Sequence, residues 1–433
     1  MIVYSADWVL PVDGAPIEHG GVATADGRIV AVGRADELEG ERLHFPEAAI
    51  VPGLVNAHTH LEYAVYAGFG DGLSFDRWLV LHMERKGRIG WDEFVSIARA
   101  GAAECLGSGV TTVGDASFSG AAATACDELG LRAIVYLEVF GRDTADLSER
   151  FEPNRERIEG SLSDRVRLGI SPHAPYTCSP ELYAACAELG LPIATHLAES
   201  EAEQEWMRFG TGTWEPFADV LVPVAGETGI RVLARHGLLG RELVAAHCVK
   251  VDEDEIELLA GHGVAVVHCP RSNALLGCGI APLVELGAAG IRVGLGTDSP
   301  ASTPTFDLFE EMRAAIMAAR ALVGRADAFS AADALELATL GSAAALGLDQ
   351  EIGSLAPGKR ADLAVVSLAG SSYLPWEDPA VAVVFGGSPE RVSRTIVEGQ
   401  VRYERGGFEW HELRGAASAA RARMLAGPLL AGR

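Results

Sequence analysis

Between residues 49 and 296 the chain alternates short, almost entirely apolar runs with stretches rich in Ala, Leu and Glu. Strands buried on both faces of a parallel sheet have this apolar character. Eight runs are predicted to be strands, at residues 49–57, 110–115, 132–139, 166–171, 191–195, 243–246, 264–267 and 292–296. The helices predicted between them include 94–106, 121–129, 180–188 and 282–289. Eight strands with eight crossovers predict an α/β fold of the (β/α)8 TIM-barrel type, whose chemistry lies at the carboxyl ends of the strands.

The two ends of the chain have a different character. Short apolar runs near the N-terminus are separated by the pairs Asp13-Gly14 and Asp26-Gly27, which favour hairpin turns. The C-terminal region repeats the pattern with strand-like runs at 361–366, 380–384 and 392–397. Neither end is long enough for a sheet domain of its own, so we expect both to form one small β-sandwich. The predicted boundaries are 1–48 and 352–408 for the sandwich, 49–351 for the barrel and 409–433 for a helical tail.

Composition narrows the classes of protein. The 433 residues are 48% hydrophobic and 22% charged, so the chain can bury a large core and is not disordered. The net charge is −25 without a basic cluster, which argues against partners such as nucleic acid or an acidic membrane. The seven scattered cysteines include no C-x-x-C pair, and we expect reduced thiols. With no evident signal peptide or membrane-spanning run, we expect a cytoplasmic protein that binds a small molecule, with a homodimer possible.

Ionisable residues fall where the predicted barrel strands end. His58 and His60 close the first apolar run, and residues i and i+2 of a strand point to the same side. His196 follows the fifth run, His247 the sixth and Asp298 the eighth. A single histidine at such a place is more often a hydrogen-bonded core residue, but a packed core disfavours so many ionisable groups. Three histidines and one aspartate make a typical site for Zn²⁺ or Fe²⁺, with room for a water molecule.

The order His-x-His, His-x-x-Glu, His and Gly-Thr-Asp resembles the amidohydrolase superfamily, specifically its mononuclear branch of cytosine, guanine and adenosine-type deaminases. The segment 353–363 also resembles that superfamily's return into the β-sandwich. The resemblance implies that one divalent ion, Zn²⁺ or Fe²⁺, is bound by His58, His60, His196 and Asp298. It further implies that protons are handled by the catalytic residues Glu199, His247 and Asp298.

One absence bears on the number of metal ions. Binuclear members of the superfamily bridge two metals with a carboxylated lysine at the end of the fourth strand, where this chain has no lysine between residues 168 and 175. We therefore predict a single metal ion and no cyclic amide hydrolysis. The cysteine-ligand deaminases are also excluded, because the chain lacks their P-C-x-x-C motif. A scaffold protein that had lost its chemistry would lack ligands, and none is missing here.

The substrate is less strongly indicated. Residues 58–63, 199–206 and 268–277 are most similar to the aminodeoxyfutalosine deaminase subgroup, which implies deamination of 6-amino-6-deoxyfutalosine in menaquinone biosynthesis. The alternatives are a methylthioadenosine or S-adenosylhomocysteine deaminase, and then a triazine or pterin hydrolase. Trp78 could stack on a ring or pack against the barrel, and His173 could bond a ribose or a carboxylate. Arg85, Lys86 and Arg271 could pair with an anion or be solvated surface residues. The candidate substrate-binding residues are Trp78, Glu84, Arg85, His173 and Asn273.

Overall fold

The computed structural model describes residues 1–371, 377–408 and 410–426. The strands are β1 Ile2–Val9, β2 Ile17–Glu18, β3 Gly20–Ala25, β4 Arg28–Arg34, β5 Glu41–Pro52, β6 Leu54–Thr59, β7 Val110–Ser117, β8 Arg132–Val139, β9 Val166–Pro172, β10 Ile193–Leu197, β11 Leu243–His247, β12 Ala265–His268, β13 Val293–Leu295, β14 Leu363–Ser367, β15 Val392–Val397 and β16 Gln400–Glu404.

The α-helices are α1 Phe75–Lys86, α2 Trp91–Gly107, α3 Ala121–Leu129, α4 Glu152–Ile158, α5 Pro180–Glu188, α6 Glu201–Phe209, α7 Gly229–Arg235, α8 Glu253–His262, α9 Pro270–Leu275, α10 Leu283–Ala288, α11 Leu308–Val323, α12 Ala331–Glu336, α13 Ser342–Ala345, α14 Pro379–Gly386 and α15 Trp410–Leu425. None of the helices in the described ranges is long and apolar enough to cross a membrane.

The eight strands β6 to β13 form one parallel sheet in chain order, so the predicted TIM barrel is confirmed. The sheet closes on itself where Thr59, at the end of β6, pairs with Asp298 beyond β13. The side-chain amide of Asn56 donates to the hydroxyl of Thr297 across the same seam at 2.8 Å. Closure brings the carboxyl ends of all eight strands to one rim, which is where barrel enzymes build their sites.

The predicted first strand, 49–57, is wrong at its beginning. The chain divides at Gly53: β5 ends at Pro52 in the sheet of the chain ends, and β6 starts at Leu54 in the barrel. A Cβ atom on Gly53 would lie 2.1 Å from the hydroxyl oxygen of Thr111, so only glycine fits this close crossing. The apolar run is continuous because both halves are buried, which hid the division from the sequence pattern.

Strands from both chain ends form the second sheet, in the order β16-β15-β14-β5-β1-β3-β4, with β2 paired to β1. One of its faces encloses a core cluster that includes Tyr4, Ile50 and Leu363. Val51, on the other face, packs into the large core shared with the barrel helices. The barrel is also tied to this sheet by a buried ion pair, in which Arg132 lies 3.1 Å from Asp362.

The run 380–384, predicted as a strand, is part of helix α14 instead. Asp378 caps this helix, because its carboxylate accepts hydrogen bonds from the backbone N–H groups of Ala380 and Val381. Pro379 occupies the first turn, where its missing N–H costs nothing. A short, continuously apolar run fits a buried helix as well as a strand, and these two flanking residues decide between them.

The C-terminal helix α15 packs beside α1 and α2. Its residues Ala420 and Met424 join a core cluster with Tyr66 and Ile97. The predicted tail covered 409–433, of which residue 409 and residues 427–433 lie outside the described residues. All seven cysteines are buried and free, as expected for reduced thiols.

Candidate metal centre

Three buried imidazoles and one carboxylate meet at the carboxyl rim of the barrel. His58 and His60 leave the end of β6 on the same side, and His196 approaches from β10. The ring nitrogens of these three histidines lie within 4.8 Å of one another. The Oδ1 atom of Asp298 is 3.4 Å from Nε2 of His60 and 3.7 Å from Nε2 of His58. The structure therefore brings together all four predicted metal ligands.

The far sides of two rings are fixed by backbone carbonyls. Nδ1 of His60 lies 2.7 Å from the carbonyl oxygen of Ala116, and Nδ1 of His196 lies 2.9 Å from that of His173. Donation from Nδ1–H leaves an unprotonated Nε2 on each ring, and these two atoms face each other at 3.3 Å. Nε2 of His58 is buried and has no hydrogen-bond partner within the described ranges. Buried lone pairs that converge in this way fit a divalent cation.

The carboxylate of Asp298 is oriented by two hydroxyl groups. Ser272 and Ser302 each donate to its Oδ2 atom at 2.7 Å, which leaves Oδ1 directed towards the histidines. The backbone φ angle is 57° at Asp298 and 75° at His247. Both values lie in the left-handed region, which residues other than glycine rarely adopt. Strained backbone at the ends of two strands is typical of sites where side-chain position matters more than local stability.

The charges of these groups suit metal binding. Burial lowers the pKa of His58 well below its usual value, and the neighbouring histidines lower it further. Burial and the adjacent His247 lower the pKa of His196 to about 4. Burial by itself would raise the pKa of Asp298, but His60, His247 and the two serine hydroxyls outweigh it and lower the pKa. The histidines are therefore neutral and the aspartate is ionised, which are the forms that coordinate metals.

Glu199 and His247 lie beside Asp298, as predicted. The ligand atoms of these three residues are within 4.8 Å of one another, and Nε2 of His247 is 3.7 Å from Oε1 of Glu199. Burial raises the pKa of Glu199 well above its usual value, and the charge of Asp298 raises it further. The raised pKa favours the protonated form of Glu199, a possible proton donor, next to the carboxylate of the metal-ligand candidate Asp298.

A second glutamate, which the sequence patterns do not single out, positions Glu199. Glu203 is buried, and its carboxylate accepts hydrogen bonds from the backbone N–H groups of Ala198 and Glu199 at 2.9 and 2.8 Å. Ser200 caps helix α6 by accepting from the N–H of Glu203. The spacing Ser-x-x-Glu is the available signal, because it predicts a helix start directly after the catalytic candidate.

The predicted substrate residues occupy different places. The indole N–H of Trp78 donates to the carbonyl of Ala301 at 2.9 Å, which ties helix α1 to the loop after Asp298. Glu84 is half-buried with one unpartnered oxygen in the described chain, and the guanidinium of Arg85 packs on Phe69 at 3.9 Å. Helix α1 therefore forms a lid beside the rim.

The two remaining candidates, Asn273 and His173, contact His247 and His196. The Oδ1 atom of Asn273 accepts from Nδ1 of His247 at 2.9 Å, so Asn273 orients that ring. The ring centre of His173 lies 4.8 Å from that of His196. Arg271 is engaged by a buried ion pair with Glu311 at 2.5 Å, and so is not a free cation in the rim.

Known proteins resemble this chain over most of its length. The model of the amidohydrolase family matches residues 49–402. The chain is 34% identical over 421 residues to a 5-methylthioadenosine/S-adenosylhomocysteine deaminase of Symbiobacterium thermophilum, covering 93% of each protein. It is 33% identical over 413 residues to a 5'-deoxyadenosine deaminase of Methanothermobacter thermautotrophicus, covering 92% of each. A zinc-bound adenosine deaminase from Xanthomonas campestris superposes with a TM-score of 0.87 at 29% identity over 98% of both chains.

Proposed function

Since this chain belongs to the amidohydrolase family, as a hydrolase of C–N bonds whose relatives deaminate purine-type rings, we propose that it deaminates adenosines modified at the 5′ carbon. The observation that carries the proposal is the convergence of two sets of groups in one buried site. Metal-ligand donors from β6, β10 and the loop after β13 meet there, and the proton-transfer pair Glu199 and His247 lies beside them.

One divalent cation, zinc or iron, is proposed to be held by His58, His60, His196 and Asp298. When bound, such an ion lowers the pKa of a water molecule towards neutrality. A single ion is favoured because β9, the fourth barrel strand, ends in Ser171-Pro172 and is followed by His173, without the lysine that bridges two metals.

The side chains then divide the proton transfers. Asp298 accepts a proton from the attacking water, while His247, held by Asn273, donates or accepts a hydrogen bond at that water. Protonated Glu199 donates to the ring nitrogen next to the attacked carbon. In the second half of the reaction the departing amino group takes the proton from Asp298 and leaves as ammonia, and Glu199 recovers a proton from the new hydroxyl group. The balance is one water consumed and one ammonia released.

We infer the substrate from the activities of the relatives rather than from the sequence motifs. Relatives about one-third identical over nine-tenths of the chain are named as deaminases of methylthioadenosine, S-adenosylhomocysteine or 5'-deoxyadenosine. None of these names contains aminodeoxyfutalosine, the substrate implied by the motif resemblance. We therefore propose methylthioadenosine and S-adenosylhomocysteine as the first substrates to test, with aminodeoxyfutalosine as the second candidate.

The test is ammonia release by the metal-loaded protein. The substrates are 5′-methylthioadenosine, S-adenosylhomocysteine, 5′-deoxyadenosine, aminodeoxyfutalosine, adenosine, guanine and a chlorotriazine. The proposal predicts the highest kcat/KM for one of the 5′-modified adenosines. Preference for guanine or the triazine would overturn the substrate class, and silence on every compound with metal content verified would overturn the proposed reaction.

A further inference from the structure

A carboxyl group and an amino group lie near the metal centre without forming an ion pair with each other. Glu138 comes from β8, the third barrel strand, and Lys86 ends the lid helix α1. The ammonium group of Lys86 lies 5.8 Å from the ring centre of Phe140, which lies 5.0 Å from the ring centre of His173. A ring nitrogen of His173 is within 4.8 Å of a carboxyl oxygen of Glu138, and no salt bridge joins Glu138 to Lys86 in the described chain. The metal-binding and proton-transfer groups of the proposed mechanism include neither residue.

Glu138 is a buried carboxylate without a partner. It is 3% exposed and accepts no hydrogen bond from any residue that the structure describes. One of its oxygens and the ring nitrogens of His173 and His196 all lie within 4.8 Å of one another. Because no residue in the described ranges donates to its oxygens and protein atoms do not fully enclose them, this carboxyl group is free to receive donors from a ligand.

Lys86 supplies hydrogen-bond donors near the metal centre. Its ammonium group lies 3.3 Å from the hydroxyl of Tyr63 and 3.8 Å from the ring centre of Phe118. An ammonium group has three N–H donors, and the Tyr63 contact uses one of them. The ring of Tyr63 stacks on that of the metal-ligand candidate His60 at 5.3 Å. Lys86 is therefore connected to the metal centre through Tyr63.

We propose that Glu138 and Lys86 bind the cis-diol of the substrate's ribose, with Glu138 accepting from one hydroxyl and Lys86 donating to the other. A diol offers both a donor and an acceptor at neighbouring atoms, which matches a carboxylate and an ammonium group that do not pair. The inference deepens the proposed function and rests on it. It makes this pair the feature that selects nucleosides over free bases.

The position of Glu138 favours the sugar over the outer end of the substrate. A group within 4.8 Å of a histidine that is proposed to bind the metal can reach the ring or the attached ribose of a substrate whose reacting carbon lies at that metal. The terminus of a long 5′ substituent lies several bonds farther out. A carboxylate ligand would also be repelled by Glu138, whereas a neutral diol would not.

A second metal ion is the other occupant that these groups could hold. A cation could be bound by one ligand atom from each of Glu138, His173 and His196, since these atoms lie within 4.8 Å of one another. The ammonium group of Lys86, however, already supplies positive charge near Glu138. The Nδ1 atom of His196 is engaged by the carbonyl of His173. The Nε2 atom of His196 would therefore have to bind both metal ions.

Binding without turnover tests the proposal. Calorimetric titrations would use the metal-loaded Glu199→Gln protein, alone and combined with Glu138→Gln or Lys86→Met. The ligands are adenosine, 2′-deoxyadenosine, 3′-deoxyadenosine and adenine. The exposed residues Glu149 and Met83 provide matched controls as Glu149→Gln and Met83→Leu, and metal content is measured for every variant.

We expect Glu138→Gln and Lys86→Met each to weaken adenosine binding about 10- to 100-fold, the range of a hydrogen bond to a charged group. For the deoxy analogue that lacks the hydroxyl bound by the substituted residue, each variant should lose less than about 2-fold in affinity, because no hydrogen bond is left to remove. The same small loss is expected for adenine, which has no ribose. Equal losses of affinity for adenosine, both deoxy analogues and adenine would overturn the diol site. It would also be overturned if the protein bound two metal equivalents and the Glu138→Gln variant bound only one. If the wild-type protein binds adenosine in this manner but deaminates no purine, the proposed function fails and the diol site stands.

Discussion

Replacing Ser272 or Ser302 with alanine removes one of the two hydroxyl groups that hold the carboxylate of Asp298. Each hydroxyl donates to the same Oδ2 atom at 2.7 Å, and together they direct Oδ1 towards His58 and His60. A hydrogen bond to a charged group contributes about 1.5–3 kcal/mol. Loss of a partner that orients a metal ligand typically lowers metal affinity or activity by about 10- to 100-fold.

We therefore expect each single variant to bind zinc about 10- to 100-fold more weakly than the wild type. The two serines share one acceptor oxygen, so their effects are not independent, and a double-mutant cycle should give a coupling energy of about 0.5–3 kcal/mol. The assay is competition for zinc against a chelator of known affinity, measured on the wild type, both single variants and the double variant.

Ser108→Ala is the matched control, because Ser108 is also buried and its hydroxyl donates to the backbone carbonyl of Cys105, away from the metal centre. It should lose comparable folding stability and keep wild-type zinc affinity. The reasoning would be refuted if Ser272→Ala and Ser302→Ala changed zinc affinity no more than Ser108→Ala does.

Three further predictions concern proton transfer, orientation and folding. Glu199→Gln should lower kcat by at least about 100-fold with unchanged metal content, because the amide has no acidic proton to give; ammonia release and metal analysis check this, and a retained rate would contradict it. Asn273→Ala should lower kcat about 10-fold with little change in KM, because Nδ1 of His247 loses its acceptor; steady-state kinetics decide, and an unchanged kcat speaks against the role. Gly53→Ala should reduce the unfolding free energy by about 1–3 kcal/mol, since its Cβ would overlap Thr111, whereas Gly240→Ala in open space should not; urea unfolding of both proteins makes the comparison, and equal stabilities would refute it.

Much of the barrel could be predicted because parallel strands buried on both faces leave a strong signal. Seven of the eight predicted strands have bounds within two residues of the observed ones. The same burial explains the two errors. The run through Gly53 stays apolar while the chain passes from one sheet to another, and residues 380–384 are apolar because α14 is buried on most sides. Side-chain periodicity carries no information where every face is covered.

The metal centre was more predictable than the substrate pocket. His58, His60, His196 and Asp298 follow strand ends at spacings that a motif can express. Glu138 lies inside an apolar strand, and the role proposed for it depends on Lys86, which comes from a separate helix. Lid packing likewise determines that Arg85 contacts Phe69. Such pairings arise from tertiary structure and leave no local pattern in one sequence.

We propose that one metal ion, bound by His58, His60, His196 and Asp298, supports deamination of a 5′-modified adenosine. The most direct measurement is the rate of ammonia release from 5′-methylthioadenosine as zinc or ferrous ion is added stepwise to chelator-stripped protein. We expect a negligible rate without metal, a linear rise to one equivalent per chain and a plateau beyond it. A rate that is independent of metal, or one that keeps rising to two equivalents, would contradict it.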